Sequence, residues 1–153
     1  MDQEEAALED ESDYISRSFL SAMKRRVYGN INVDIPIYLL EDLEEIEMVD
    51  YDLESLDGIE ACRYLKAADM SNNNLTDLSE LGYLRQVERL YLANNHIEMI
   101  DSLGKLLVLK VLDISYNDVD DLSPLFDLNH LSYLNVIGIG CLPGSWRNFI
   151  KRG

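Results

Sequence analysis

The sequence predicts an α/β solenoid of about five 22-residue coils. Each coil lays one short strand into a parallel β-sheet on the concave side and returns through a 3₁₀ or irregular convex side, and a helical cap stands in front. Three observations predict it. Apolar residues and an asparagine recur in one order at Leu65, Ala68, Met70, Asn73 and Leu75, again at Val87, Leu90, Leu92, Asn95 and Ile97, and again at Leu109, Leu112, Ile114, Asn117 and Val119, always 22 residues apart. Within each copy an alternation such as Leu90-Tyr91-Leu92 sends two side chains to one face of an extended segment and the residues between them to the other. The asparagine follows where the chain turns away, and its amide can donate to and accept from backbone groups that the turn leaves without partners. Stacked copies place Asn73, Asn95 and Asn117 in one structural ladder.

Taken in order, residues 1–12 are acidic and nearly featureless, which predicts a mobile tail. Residues 13–42 form the expected N-terminal cap. Ile15, Phe19, Ala22, Met23, Arg26 and Val27 recur at three- and four-residue steps, giving an amphipathic helix over about 13–27 whose apolar stripe only Arg26 interrupts. Lys24, Arg25 and Arg26 sit in its last turn, where the helix dipole favours cations, and Gly29 can end it. Ile31, Val33 and Ile35 then alternate as a short strand would.

The coils occupy 43–140 and start at Leu43, Leu65, Val87, Leu109 and Leu131; the first carries Tyr51 and the last Ile139 in the asparagine position. Their second halves step apolar residues by three, as in Leu75, Leu78, Leu81 and Leu84, which suits a 3₁₀ path. Asp57, Ser79, Asp101 and Ser123 share one position there and are expected to act as N-caps or turn residues. Residues 141–153 are the expected C-terminal cap, with Trp146, Phe149 and Ile150 spaced to cover the last open core face.

The net charge is −16, and it is uneven: residues 1–60 hold 18 acidic and 4 basic side chains, residues 61–153 hold 11 and 9. Nucleic acid and anionic membrane surfaces would be repelled, so the expected partner is a protein, and a basic one. No stretch approaches 18 apolar residues and the N-terminus lacks the basic and apolar regions of a signal peptide, so the expectation is a cytoplasmic chain, acting as a monomer. Cys62 replaces a leucine at a core position and is expected to be buried as a small hydrophobe; Cys141 lies too far along the solenoid to bridge to it.

The runs VDDLSPLFDLNHLSYL and LESLDGIEACRYL, with Asp121-Leu122-Ser123-Pro124-Leu125 as the most specific element, resemble the short-repeat class of leucine-rich repeat proteins. Bacterial internalins and the leucine-rich regulatory subunit of protein phosphatase 1 belong to that class, and the resemblance covers about residues 31–140. It implies a right-handed solenoid whose curved sheet binds another protein, without catalysis by the repeats.

The register assigns the outward strand positions. The central column is Glu47, Asp69, Tyr91, Asp113 and Asn135; the one before it is Glu45, Ala67, Arg89, Val111 and Tyr133; the one after it is Val49, Ser71, Ala93, Ser115 and Ile137. A fourth set at the strand's edge is Asp50, Asn72, Asn94, Tyr116 and Gly138. From these, Glu45, Glu47, Asp69, Arg89, Tyr91, Asp113, Tyr116, Tyr133 and Asn135 are the expected partner-binding residues, because tyrosines offer rigid contact area and the acids select Lys or Arg. The acidic clusters Asp50/Asp52/Glu54 and Asp118/Asp120/Asp121 lack a calcium-loop signature, so neither a metal nor another cofactor is expected. His96 and His130 lie in connecting segments, and no catalytic motif is present, so the chain is not expected to be an enzyme. A non-catalytic protein-interaction module is therefore the expected function; the alternative is an inhibitor or immunity-type antidote that blocks a basic enzyme or toxin.

Overall fold

A computed structural model describes residues 17–140, so the acidic tail at 1–12, the start of the expected helix and the expected cap at 141–153, with Cys141 and Trp146, lie outside the described residues. Five three-residue strands, β1 (Glu45–Glu47), β2 (Ala67–Asp69), β3 (Arg89–Tyr91), β4 (Val111–Asp113) and β5 (Tyr133–Asn135), form one sheet in sequence order. All neighbours are parallel and the register is the repeat itself: Glu45 faces Ala67, then Arg89, Val111 and Tyr133. The middle residue of each strand points inward, and Ile46, Ala68, Leu90 and Leu112 are buried beneath the sheet.

The convex side follows from the three-residue step. Leu81 N–H donates to Leu78 O at 3.0 Å, Leu84 to Leu81 at 3.0 Å and Val87 to Leu84 at 3.3 Å. A 3₁₀ path has three residues per turn, so all these side chains fall on one side and enter the core. The same chain of bonds links Ile100, Leu103, Leu106 and Leu109. The resulting 3₁₀ segments are Ile59–Ala61, Ser79–Tyr83, Asp101–Lys105 and Ser123–Leu125. Successive coils come close here: a Cβ added at Gly104 would stand 2.8 Å from Pro124 O.

Asp57, Ser79, Asp101 and Ser123 do not cap these segments. They are turn residues that open or precede them, and Asp57, Ser79 and Ser123 donate to acceptors two residues earlier. Ser79 N–H donates to Asp77 Oδ1 and Ser123 N–H to Asp121 Oδ1, each at 2.9 Å, and Asp57 N–H donates to Ser55 Oγ at 3.0 Å. Bonds from Ser79 and Ser123 hold the Asp77 and Asp121 carboxyls below the ordinary aspartate range. The third coil has Met99 at this position, 72% exposed.

The ladder forms as the spacing predicts. Asn73, Asn95 and Asn117 are buried. Asn95 Oδ1 accepts from Leu75 N–H at 3.0 Å, while its Nδ2 donates to Met70 O and Leu92 O, both at 3.1 Å. Each amide thus ties its own coil to the one before it. Cys62 is fully buried, and burial, with Glu60 nearby, pushes its thiol up to about 12.

Two cap expectations are corrected. The helix α1 runs over Phe19–Tyr28: Ser18 is its N-cap, accepting from Ser21 N–H, and also pairs as an isolated parallel bridge with Ser55, which holds Ser18 extended. Phe19, Ala22 and Met23 are buried, but Val27 is exposed and Arg26 is aimed at the sheet, where its Nη1 donates to Glu47 O at 2.8 Å. The break in the apolar stripe is therefore a cover for the edge of β1, whose carbonyl would otherwise face solvent. Gly29, at φ +67°, ends the helix. Residues 31–35 form no strand; they turn toward Pro36, which starts the short helix α2 (Ile37–Glu41). Pro36 fixes φ at −61° and offers no N–H, and with the β1 edge met by α1 the alternating residues have nothing to pair with.

Candidate protein-interaction surface

The concave face is built by the two outward residues of each strand. Side chains in one column repeat at the inter-strand spacing of about 4.8 Å. In the first column Ala67 is small, and Arg89 reaches over it to Glu45, Nη2 to Oε1 at 2.7 Å. Both side chains remain largely exposed, so this pair orients more than it stabilises. Below it opens a trough of about 440 Å³ lined by Glu45, Glu47, Ala67, Asp69, Arg89 and Tyr91, with Ile46 and Ala68 at its floor.

Central-column acids have a second duty. Asp69 Oδ1 accepts from Ser71 N–H at 3.0 Å, and Asp113 Oδ1 accepts from Ser115 N–H at 2.9 Å and from Ser115 Oγ at 2.6 Å. Asn135 repeats this with Ile137 N–H at 3.2 Å and donates through Nδ2 to Asp113 Oδ2 at 3.3 Å. A short side-chain oxygen here closes the strand exit as an Asx turn. These residues are held in place before any partner arrives.

The expected residues do not form one patch. Glu45, Glu47, Asp69, Arg89 and Tyr91 share the trough. Asp113 and Asn135 adjoin it as a bonded pair, and Tyr133, 53% exposed, stands at the far strand. Tyr116 is off the sheet. It belongs with Asp50, Asn72, Asn94 and Gly138, all five at φ between 53° and 71°, so this column is first a set of left-handed turn residues. Asp, Asn and Gly suit that conformation, and Tyr116 is the exception, its ring lying so close to Gly138 that a Cβ there would meet Cδ1 at 2.6 Å.

One column escaped the sequence reading although the same register carries it. Glu44, Lys66, Glu88, Lys110 and Ser132 alternate in charge immediately before the strands, and Lys66 pairs with Glu44 at 3.0 Å and Lys110 with Glu88 at 3.1 Å. The alternation was the available signal. On the other flank a polar trough of about 540 Å³ includes Asp50, Asp52, Asn72, Asn94 and His96. Asn94 Nδ2 donates to Asn72 Oδ1 at 2.9 Å, Asn74 Nδ2 to Asp52 Oδ1, and Arg17 pairs with Glu54 and Asp52. Among the described residues no group of three His, Cys, Asp or Glu is placed to hold a metal ion, and no helix is long and apolar enough to cross a membrane.

No family model matches the sequence, and no curated protein does either. Solved structures do match. An internalin of Listeria monocytogenes aligns with a TM-score of 0.67 at 23% identity, over 80% of this chain and 44% of its own. Internalin C2 of that species gives 0.58 at 21% identity, over 80% of this chain and 64% of its own. A leucine-rich repeat protein of Leptospira interrogans gives 0.60 at 19% identity, over 77% and 38%. The fold is a leucine-rich repeat solenoid with internalin-type repeats, as the sequence pattern implied. The chain spans between 38% and 64% of the length of these structures, and the likeness establishes the fold alone.

Proposed function

We propose that this solenoid is a non-catalytic protein-interaction module that takes a basic partner on its concave face. The observation that carries the reading is the trough over Ala67, where Glu45, Glu47 and Asp69 surround a space large enough for a cationic side chain and Tyr91 supplies a flat wall. The Asx turns at Asp69 and Asp113 and the Glu45–Arg89 pair hold the surface in one arrangement, so binding orders few additional side chains. The net charge of −16 would also speed encounter with a basic protein, by about tenfold or more at low salt.

Asp69 and Asp113 also support the fold, so the test must remove charge and keep the acceptor oxygen. The variant Glu47→Gln, Asp69→Asn, Asp113→Asn does so, because Asn135 already closes the same turn in β5. Wild type and variant are compared as baits in low-salt pull-downs with mass spectrometry. A basic protein retained by the wild type and lost from the variant supports the reading; equal retention of the same proteins by both places the interface elsewhere. If the retained protein is an enzyme or toxin whose turnover stops on binding, the module acts as an inhibitor of the immunity type, the same surface serving to occlude a site.

A further inference from the structure

The repeat register sorts charge as well as core. Between residues 61 and 140 there are six Lys and Arg; Arg89 lies on the concave sheet and the other five, Arg63, Lys66, Arg85, Lys105 and Lys110, all lie in the six-residue segments that lead into β2, β3 and β4. The segments that leave the strands, 50–57, 72–79, 94–101 and 116–123, hold ten Asp and Glu and no Lys or Arg. The segments that lead into β2, β3 and β4, where Glu88 alone is acidic, are therefore opposite in sign to those that leave the strands, whereas those that lead into β1 and β5 carry Glu41, Asp42, Glu44 and Asp127.

Three of the five leading-flank cations are matched: Arg63 to Glu41, Lys66 to Glu44 and Lys110 to Glu88. Arg85 and Lys105 have no ion-pair partner among the described residues. They stand among large apolar side chains: Tyr83 is 71% exposed, Leu107 59%, Tyr64 53% and Val108 38%. Adjacent coils bring these together. Tyr83 and Lys105 share one column, Arg85 and Leu107 the next, and Tyr64, Gln86 and Val108 the one after. The Lys105 stem lies over Gly82, the residue before Tyr83, where an added Cβ would stand 3.1 Å from Cδ.

We infer that this leading flank is a second docking surface, which takes an acidic segment of another protein bearing a large apolar side chain. Two cations without carboxylates in so acidic a molecule call for anions from outside, and the exposed tyrosines and leucine call for apolar contact between them. The overall negative charge does not override this. At physiological salt the screening length is about 8 Å, so charges on the far flank are largely hidden from a ligand seated between Arg85 and Lys105. The surface is separate from the concave trough, and a chain using both would bridge a basic partner to an acidic one.

The test is a titration of the ¹⁵N-labelled full chain, at about 150 mM salt, with a peptide of three Asp-Leu-Glu-Phe repeats. The expected footprint is the amides of Tyr64, Tyr83, Lys105, Leu107 and Val108, with affinity falling about tenfold or more in Arg85→Glu/Lys105→Glu at an unchanged melting temperature. A footprint elsewhere, or an affinity that the double variant leaves unaltered, overturns the inference. So does a matching footprint from poly-uridylate RNA, which marks a general polyanion site, or one that appears on concentrating the chain alone, which marks contact between copies. A parallel titration with a basic peptide, in which Lys replaces each Asp and Glu of those repeats, reports on the concave trough, so the two readings fail separately.

Discussion

Truncating the asparagine ladder should cost stability in an order set by which backbone groups each amide leaves behind. In Asn95→Ala the buried Leu75 N–H loses its acceptor outright, whereas Met70 O and Leu92 O each keep a bond from a neighbour, Asn73 Nδ2 at 2.9 Å and Asn117 Nδ2 at 2.9 Å. One orphaned donor and two weakened acceptors amount to about 2–3 kcal/mol. Asn73→Ala strips more: its Oδ1 serves both Tyr51 N–H and Leu53 N–H, and among the described residues Met48 O receives its bond from Asn73 alone. That variant should lose about 3–5 kcal/mol. For a chain of this size each kcal/mol moves the midpoint by about 2–4 °C, giving drops of about 4–12 °C for Asn95→Ala and about 6–20 °C for Asn73→Ala. Thermal melts give the totals, and hydrogen exchange at Leu75 and Leu53 gives the local loss. A midpoint within about 2 °C of wild type with the Leu75 amide still protected would refute the ladder as a source of stability. Asn95→Asp extends the test. It aims a carboxyl at two carbonyls, which raises its folded pKa, so the variant should be less destabilised near pH 4 than at pH 7.

Gly104→Ala should destabilise by about 1–3 kcal/mol, because the new Cβ would stand 2.8 Å from Pro124 O and the backbone of the next coil must move; urea denaturation measures it. Met99→Ser should stabilise by about 0.5–1 kcal/mol, since a hydroxyl there can accept from Asp101 N–H as Ser55 does from Asp57, and the urea midpoint should rise at constant slope. The Asp77 and Asp121 carboxyls are lowered by their bonds to Ser79 and Ser123, so their stabilisation is present above the unfolded aspartate pKa of about 3.9 and is lost as pH falls through the lower folded values. In Asp77→Asn/Asp121→Asn the decline in stability below about pH 4 should be shallower than in wild type, as followed by urea titrations at a series of pH values.

The register made the sheet legible residue by residue: the columns read from a spacing of 22 are the observed strand pairs. It worked because each coil repeats one local solution and touches only its neighbours. Where the chain departs from that solution the reading failed. Ser18 is a good N-cap by type, but so are Ser12, Asp13 and Ser16 before it; its pairing with Ser55 singles it out, and that contact is 37 residues away. Ile31, Val33 and Ile35 alternate like a strand, but the edge they would join is met by Arg26. In the site, membership of the columns was visible and the bonds between members were not. The Glu45–Arg89 pair depends on Ala67 being small between them, and the turn-closing bonds of Asp69 and Asp113 depend on backbone direction after the strand. The column Asp50, Asn72, Asn94, Gly138 carried a composition typical of left-handed turns, legible in principle and read instead as surface.

The doubled duty of the central column bears on how such a surface can diverge. In three of the five coils that column is confined to aspartate or asparagine, because only a short side chain ending in oxygen both closes the strand exit and faces outward. The column before it, Glu45, Ala67, Arg89, Val111 and Tyr133, meets no such demand, and its side chains already run through acid, base, methyl, branched aliphatic and aromatic. Substitutions there alter what is displayed without altering what folds. A lineage of these modules can exchange partners by rewriting one column while the neighbouring one stays fixed as grammar.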